Sequence, residues 1–235
     1  MKKSKFASLF LASTLLIGVL AGCNSEGGSG DGGDTIKIGI NLELSGGVAS
    51  YGQSEDKAID LAVEEINDDG GIDGKKIELV KVDNKSDAGE ATSGAIKLIT
   101  KDKVVAIIGA ATSGNTVAQV EVAGKNKVPL ISPSGTSTTV TVTDKGKLNE
   151  FAFRTAFIDP FQGTVAANFA ANELKVKNVA IYADNSSDYA KGLAASFKKD
   201  FEAAGGKIVA QESYVAKDTD FRSTLTSLKS KNPDF

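Results

Sequence analysis

The stretch "VVAIIG", Val104 to Gly109, has no charge and no hydroxyl, and the loop "AATSGNT" follows it directly. A short, fully apolar run of this kind reads as a parallel strand covered on both faces. Parallel strands need crossover connections, and helical periods lie on both sides of this one. Upstream, "DAGEATSGAIKLITKD" sets Ala88, Ala91, Ala95 and Leu98 on one helical face, after the strand "KIELVKVD". Further back, "YGQSEDKAIDLAVEEIND" repeats apolar residues at Ala58, Leu61, Ala62 and Ile66, and Gly70 and Gly71 stop it. The strand "TIKIGINLEL" opens the series. Downstream come a helix in "NTVAQVEVAGKN" and a strand in "VPLISP". The order β-α-β-α-β-α-β predicts an α/β fold, an open parallel sheet with right-handed crossovers, over residues 35–155.

A second set follows over residues 156–235. "FAFRTAF" reads as a linking strand, and "DPFQGTVAANFAANEL" as one helix with Pro160 near its first turn. The strands "NVAIYAD" and "KIVAQESYV" flank a long helix, and "DTDFRSTLTSLKSKN" adds a last one. The chain stops at "NPDF", where the pattern predicts another buried strand. Two parallel strands with their helices do not cover both faces of a sheet, so an incomplete second lobe is expected.

The 235 residues carry a net charge of −3, and the 27 basic residues include Lys2, Lys3 and Lys5. Without those three, the balance against 30 acidic residues is about −6. With no clustered basic surface, nucleic acid is not an expected partner. One cysteine forms no internal disulfide, and a chain without histidine has no ordinary zinc site and no Ser-His-Asp or Cys-His machinery. No metal or cofactor is expected.

The first 22 residues read as a signal segment: the basic head "MKKSK", the uncharged run "FASLFLASTLLIGVL", then "AGC". The apolar run is short for a membrane span, which needs about 20 residues. Residues 23–34 comprise Cys23 and a Gly- and Ser-rich stretch that reads as a flexible linker reaching roughly 20 Å. Gly28, Gly30 and Gly33 form a nominal G-x-G-x-x-G, but it precedes the first strand and opens no helix, so it is not a dinucleotide loop.

Ligands of open α/β sheets bind at the carboxyl ends of the strands. The segments there are "LSGGVASYGQ", "GAATSGNT", "SPSGTST" and, in the second set, "YADNSSDYAKG". Each supplies hydroxyls, glycines or a tyrosine, and none supplies a reactive pair. Ser113 and Asn115 fall where a helix begins, and free N–H groups there favour an anion. Ser134 and Thr136 face the same crevice from the next loop, so a ligand carboxylate would accept several hydrogen bonds. A serine at Ser113 also serves to cap its own helix, and that alternative stays open.

Together with "LAGC", which is similar to the lipobox of bacterial lipoproteins, five stretches carry a family resemblance. "IGINLELSGGVASYGQ", "GIDGKKIELVKVDNKSD", "PLISPSGTST", "FRTAFIDPFQG" and "DNSSDYAKG" resemble the branched-chain amino-acid binding proteins of ABC importers. The resemblance implies a two-lobed type I periplasmic-binding-protein fold, each lobe an open parallel sheet flanked by helices. It implies a lipid on Cys23, anchoring a monomer at the outer face of the cell membrane, and partners among ABC permease subunits. The residues at Ser113, Ser134, Thr136 and Tyr189 would hold the ligand's carboxylate and ammonium, with Tyr51 along its side chain. The lobes would close about the crossing at Thr155 to Pro160. The acidic residue that fixes the ammonium in that family belongs to a part of the second lobe beyond Phe235. The first-lobe disulfide of some relatives has no cysteines here.

Relatives with this fold also take amides, urea and aromatic acids, and a ligand-sensing role is the alternative to delivery. An enzyme is not expected. Ser54 to Lys57 and Ser196 to Lys199 match S-x-x-K, but both lie inside predicted helices without the accompanying S-D-N or K-T-G. A calcium loop from Asp69 fails at Val80, where a glutamate is needed. Glu64 and Glu65 are helix neighbours that point apart, a solvated face.

Overall fold

The computed structural model describes residues 35–235. The expected signal segment, Cys23 and the linker lie outside the described residues. Five parallel strands form one sheet: β1 (Ile36–Leu42), β2 (Ile77–Asp83), β3 (Ala106–Ile108), β4 (Leu130–Ser132) and β5 (Ala152–Arg154). Their order is β2-β1-β3-β4-β5. The chain winds outward from β1 to β2, then reverses to β3. That reversal opens a crevice at the carboxyl ends of β1 and β3, where open sheets of this kind bind ligands.

Helices α1 (Ala49–Asp68), α2 (Ala88–Thr100) and α3 (Ser113–Asn126) make the crossovers. Asp87 caps α2 by accepting the Glu90 N–H at 2.9 Å. Leu98, Ile99 and Ala95 of α2 and Ala123 of α3 pack with Ile107 and Leu130 of the sheet. Fully burying side chains such as Leu98, Ile107 and Leu130 stabilises the fold by roughly 1.5–3 kcal/mol each. Ala88, expected on this face of α2, is exposed.

Helix α1 covers the opposite face of β1, with Ile59 against Ile40 and Leu42. The inward face is not the expected one. Ala58, Leu61, Ala62 and Ile66 are all exposed, Leu61 at 57%, while Gly52, Glu55, Ile59, Val63 and Asn67 turn inward. Tertiary hydrogen bonds decide the rotation. The Asn67 amide donates to the Ile77 carbonyl at 2.9 Å and accepts the Ile77 N–H at 2.7 Å. Gly52 allows the helix to sit against the chain leaving β1, since a Cβ there would lie 2.3 Å from the Glu43 carbonyl oxygen.

Beyond β5 the chain builds a second unit. Strands β6 (Asn178–Asp184) and β7 (Lys207–Tyr214) pair in parallel, with α4 (Asp159–Asn168), α5 (Asp188–Ala203) and α6 (Arg222–Lys229) around them. The helix expected to run unbroken to Leu174 widens into a π turn over Phe169–Glu173, and the Leu174 N–H reaches back to the Phe169 carbonyl. Ala167 and Ala170 on either side of that change both pack with buried Phe201 and Val179. Helices α4 and α5 are in close contact at Gly163, where a Cβ would lie 2.5 Å from the Ser196 Cβ.

Candidate functional site

The crevice edge is organised by a residue the sequence reading passed over. Glu43 follows β1 and is fully buried. Its Oε2 accepts the Ala111 N–H at 2.9 Å. Its Oε1 accepts the Thr112 N–H at 3.1 Å, the Thr112 hydroxyl at 2.6 Å and the Asn115 amide at 2.8 Å. A buried carboxylate is tolerable only with such donors around it. Glu43 thus does from the end of a strand what the N-cap Thr112, whose side chain makes no cap bond, leaves undone.

Ser113, the first residue of α3, does not cap its helix. It is 2% exposed, and its Oγ accepts the Ser137 N–H at 3.1 Å. Its own hydroxyl proton stays available. The backbone N–H groups of Ser113, Gly114 and Thr136 have no partner among the described residues. Thr136 is buried and its carbonyl accepts the Asp159 N–H at 3.0 Å, while both carboxylate oxygens of Asp159 are buried without a hydrogen-bond partner among the described residues. Those N–H groups are the donors an anionic group needs at a helix N-terminus.

Ser134 lies behind them. Its Oγ is within hydrogen-bond distance of Glu55 Oε1 and of the Ala111 carbonyl, at 2.8 Å from the latter. One hydroxyl proton cannot serve both acceptors. Burial pushes the Glu55 carboxyl above its ordinary range, the hydrogen bond from Ser134 opposes that, and the Glu43 charge adds to it.

The loop carrying Ser134 and Thr136 is clamped from below by Arg154 on β5. Its Nη1 donates to the carbonyls of Gly135 at 3.0 Å and Ser137 at 2.7 Å. Its Nη2 donates to Thr141 Oγ1 at 2.8 Å. Holding the carbonyls on one side fixes the direction of the N–H groups on the other. The sequence reads "FAFRTAF" as a linking strand, and nothing local to it announces a clamp.

The fold therefore gathers Ser113, Ser134 and Thr136 at one edge. The two tyrosines stand apart from them. Tyr51 lies one turn before Glu55 on α1, with 64% of its surface exposed. Tyr189, in the first turn of α5, exchanges hydrogen bonds with Gln162, the shorter 2.9 Å. Its neighbour Asp188 faces α3, with Oδ2 3.7 Å from where a Cβ on Gly114 would sit. A separate open groove of about 1050 Å³ runs along the outer side of α3, between Val120, Thr138, Leu148 and Lys191. None of the five candidate residues lines it, and it brings no buried charged group together. The S-x-x-K serines are occupied within their helices, Ser54 on the Ser50 carbonyl and Ser196 on the Gly192 carbonyl. Among the described residues no group of three or more His, Cys, Asp or Glu is arranged to hold a metal, and no helix is long and apolar enough to cross a membrane.

The profile of the family described as Periplasmic binding protein matches residues 35–235. The leucine-, isoleucine-, valine-, threonine- and alanine-binding protein of Pseudomonas aeruginosa is 33% identical over 202 residues, 86% of this chain and 52% of that protein. Among solved structures, the branched-chain amino acid transporter substrate binding protein LivJ of Streptococcus pneumoniae, in complex with isoleucine, is 50% identical. Its TM-score is 0.77 over 86% of this chain and 56% of that one. A solute binding protein of an ABC transporter from Rhodopseudomonas palustris, in complex with 3,4-dihydroxy benzoic acid, is 28% identical with a TM-score of 0.74, over 85% and 53%. The chain spans about half the length of the curated relatives it matches.

Proposed function

The chain belongs to the periplasmic binding protein family, and on that premise we propose that it captures a branched-chain amino acid for an ABC importer. The observation that carries this reading is the set of unspent donors at one crevice edge: the Ser113 hydroxyl and the N–H groups of Ser113, Gly114 and Thr136. They suit the α-carboxylate, and Ser134 lies beside the place of the ammonium. Tyr51 on α1 and Tyr189 on α5 flank the crevice, one from each lobe, as walls for the side chain. The S. pneumoniae relative holds isoleucine, which supports the ligand class.

Ligand docks first on the exposed first-lobe loops. The second unit then swings over it about the segment from Thr155 to Pro160, driven by the higher affinity of the closed state. The closed form is the one presented to the permease. The protein works as a monomer and carries no catalytic step. A lipid on Cys23, with residues 24–34 as slack, keeps it at the outer face of the membrane, since two or more acyl chains give stable anchoring.

The test is a thermal-shift screen against the twenty amino acids, amides, urea and aromatic acids. A ligand at 100 times its dissociation constant adds about 2.7 kcal/mol to folding stability. A shift confined to Leu, Ile and Val is the expected result. A shift with another solute class alone would overturn the ligand assignment.

A further inference from the structure

We propose that Asp159 is a proton-operated catch at the joint between the first lobe and the second unit. With its carboxyl protonated the joint stays packed. Ionised, the carboxylate drives the joint apart to let water in. The consequence for ligand rests on the amino-acid reading above, whereas the catch itself does not. Asp159 is 2% exposed, and among the described residues neither of its carboxylate oxygens has a hydrogen-bond partner. It stands where three parts of the chain meet. It opens α4, its N–H is held by the Thr136 carbonyl at 3.0 Å, and its carboxylate lies against Gly192 of α5. It also falls within the segment from Thr155 to Pro160, about which the two parts would turn.

The charged groups around it are committed elsewhere. Arg154 on β5 is the cation whose field reaches Asp159, but its guanidinium is bonded to the Gly135 and Ser137 carbonyls and the Thr141 hydroxyl. On α5, Asp188 and Lys191 pair with each other at 2.8 Å, and Tyr189 is bonded to Gln162 of α4. Asp200, further along α5, is bonded to Thr164. From Pro160 to Asn168 α4 carries no titratable group, and neither does the loop from Pro133 to Thr139 or the first turn of α3. An ionised carboxylate buried without a donor is costly, and the cost is removed in one of two ways. Either a proton is bound, or the surrounding elements part and water enters. The packed joint therefore binds the proton more tightly than the parted one, and packing takes up a proton between the two pKa values. The packed joint also fixes the loop that carries the Thr136 N–H, so it is the arrangement that holds ligand. Ligand binding then takes up a proton, and affinity falls as pH rises through that window.

The experiment is calorimetric titration of the full chain with leucine from about pH 4.5 to 7.5, each pH in two buffers of different ionisation enthalpy, so that the difference counts protons. Wild-type protein is expected to take up a fraction of a proton per leucine and to lose affinity several-fold as pH rises. Asp159→Asn is expected to take up none and to bind evenly across the range. Leucine binding without proton uptake in wild type, or uptake that survives in Asp159→Asn, would overturn the proposal. Amide hydrogen exchange without ligand tests the catch alone. At neutral pH the leading turns of α4 and α5 are expected to exchange faster in wild type than in Asp159→Asn, with the difference closing on acidification. Equal exchange at every pH would overturn the catch whatever the ligand is. If the chain binds neither leucine, isoleucine nor valine but the exchange difference is present, the amino-acid reading falls and the catch stands.

Discussion

The carboxylate of Asp159 lies against Gly192 so closely that a Cβ on Gly192 would sit 2.5 Å from Oδ2. Asp159 opens α4, Gly192 is in the first turns of α5, and the Asp159 N–H is bonded to the Thr136 carbonyl. One residue therefore joins the candidate ligand loop to both leading helices of the second unit. A side chain 2% exposed has little room to retreat. This makes the joint a place where packing and electrostatics can be tested separately.

The packing test is Gly192→Ala. The added methyl must displace the Asp159 carboxylate or move α5, and overpacking of this kind costs about 1–3 kcal/mol. For a chain of this size that is a fall of a few degrees up to about ten in Tm. Melting curves check it. Gly205→Ala is the opposite kind of control: nothing lies within 4 Å of its Cβ position, and its cost comes from a φ of +83° alone.

The electrostatic test is Asp159→Asn. Burial raises the Asp159 carboxyl above its ordinary value, against the opposing influence of the nearby Thr136 hydroxyl and the charge of Arg154, and both its oxygens are buried without a hydrogen-bond partner among the described residues. An acid raised in the folded state binds its proton more readily there than when unfolded. Its ionised form thus costs stability above the folded pKa, and the cost fades as pH falls towards the unfolded value near 3.8. Asp159→Asn is expected to melt higher than wild type at neutral pH, with the gap closing as the buffer is acidified. A gap that widens on acidification would contradict this assignment.

The alternation of strands and helices was legible because each crossover helix of the first sheet sits between apolar runs too short to be anything but strands. The face of α1 was not. Leu61 and Ile66 face solvent while Ile59 and Val63 turn inward, and the inward face also includes Glu55 and Asn67, whose burial depends on Ser134 and on the Ile77 backbone. Hydrophobic periodicity cannot weigh partners that are distant in sequence. The same limit hid Glu43: its donors lie 68 to 72 residues away, and from the sequence it is one more charge after a strand. Ser113, Ser134 and Thr136 were legible because small hydroxyl residues after consecutive parallel strands must meet at one edge.

Arg154 provides a third test. Its guanidinium spans acceptors from Gly135 to Thr141, a reach that one ammonium cannot reproduce. Arg154→Lys is expected to lose about 2–3 kcal/mol of stability, since hydrogen bonds to charged groups are worth about 1.5–3 kcal/mol each. Loosening the loop also misdirects the Thr136 N–H, so ligand affinity is expected to fall along with Tm. Denaturant unfolding and calorimetry on one sample check both. A loss of stability with full affinity would show that the loop keeps its shape without the clamp.

Ser113→Ala separates binding from folding most directly. In the unliganded protein Ser113 Oγ does one job, accepting the Ser137 N–H, and deleting it leaves that buried donor unpaired. This should cost about 1 kcal/mol of stability. The hydroxyl proton has a second job only if a ligand carboxylate accepts it, and losing that charge-assisted bond costs a further 1–3 kcal/mol of binding, about 5- to 150-fold in affinity. Ser113→Thr keeps the hydroxyl and tests whether the site tolerates a methyl beside it. The decisive comparison is the affinity of Ser113→Ala for leucine against its stability without ligand. Affinity that falls by no more than the stability change predicts would return Ser113 to a purely structural role and leave the N–H groups of Ser113, Gly114 and Thr136 as the carboxylate's partners in the first lobe.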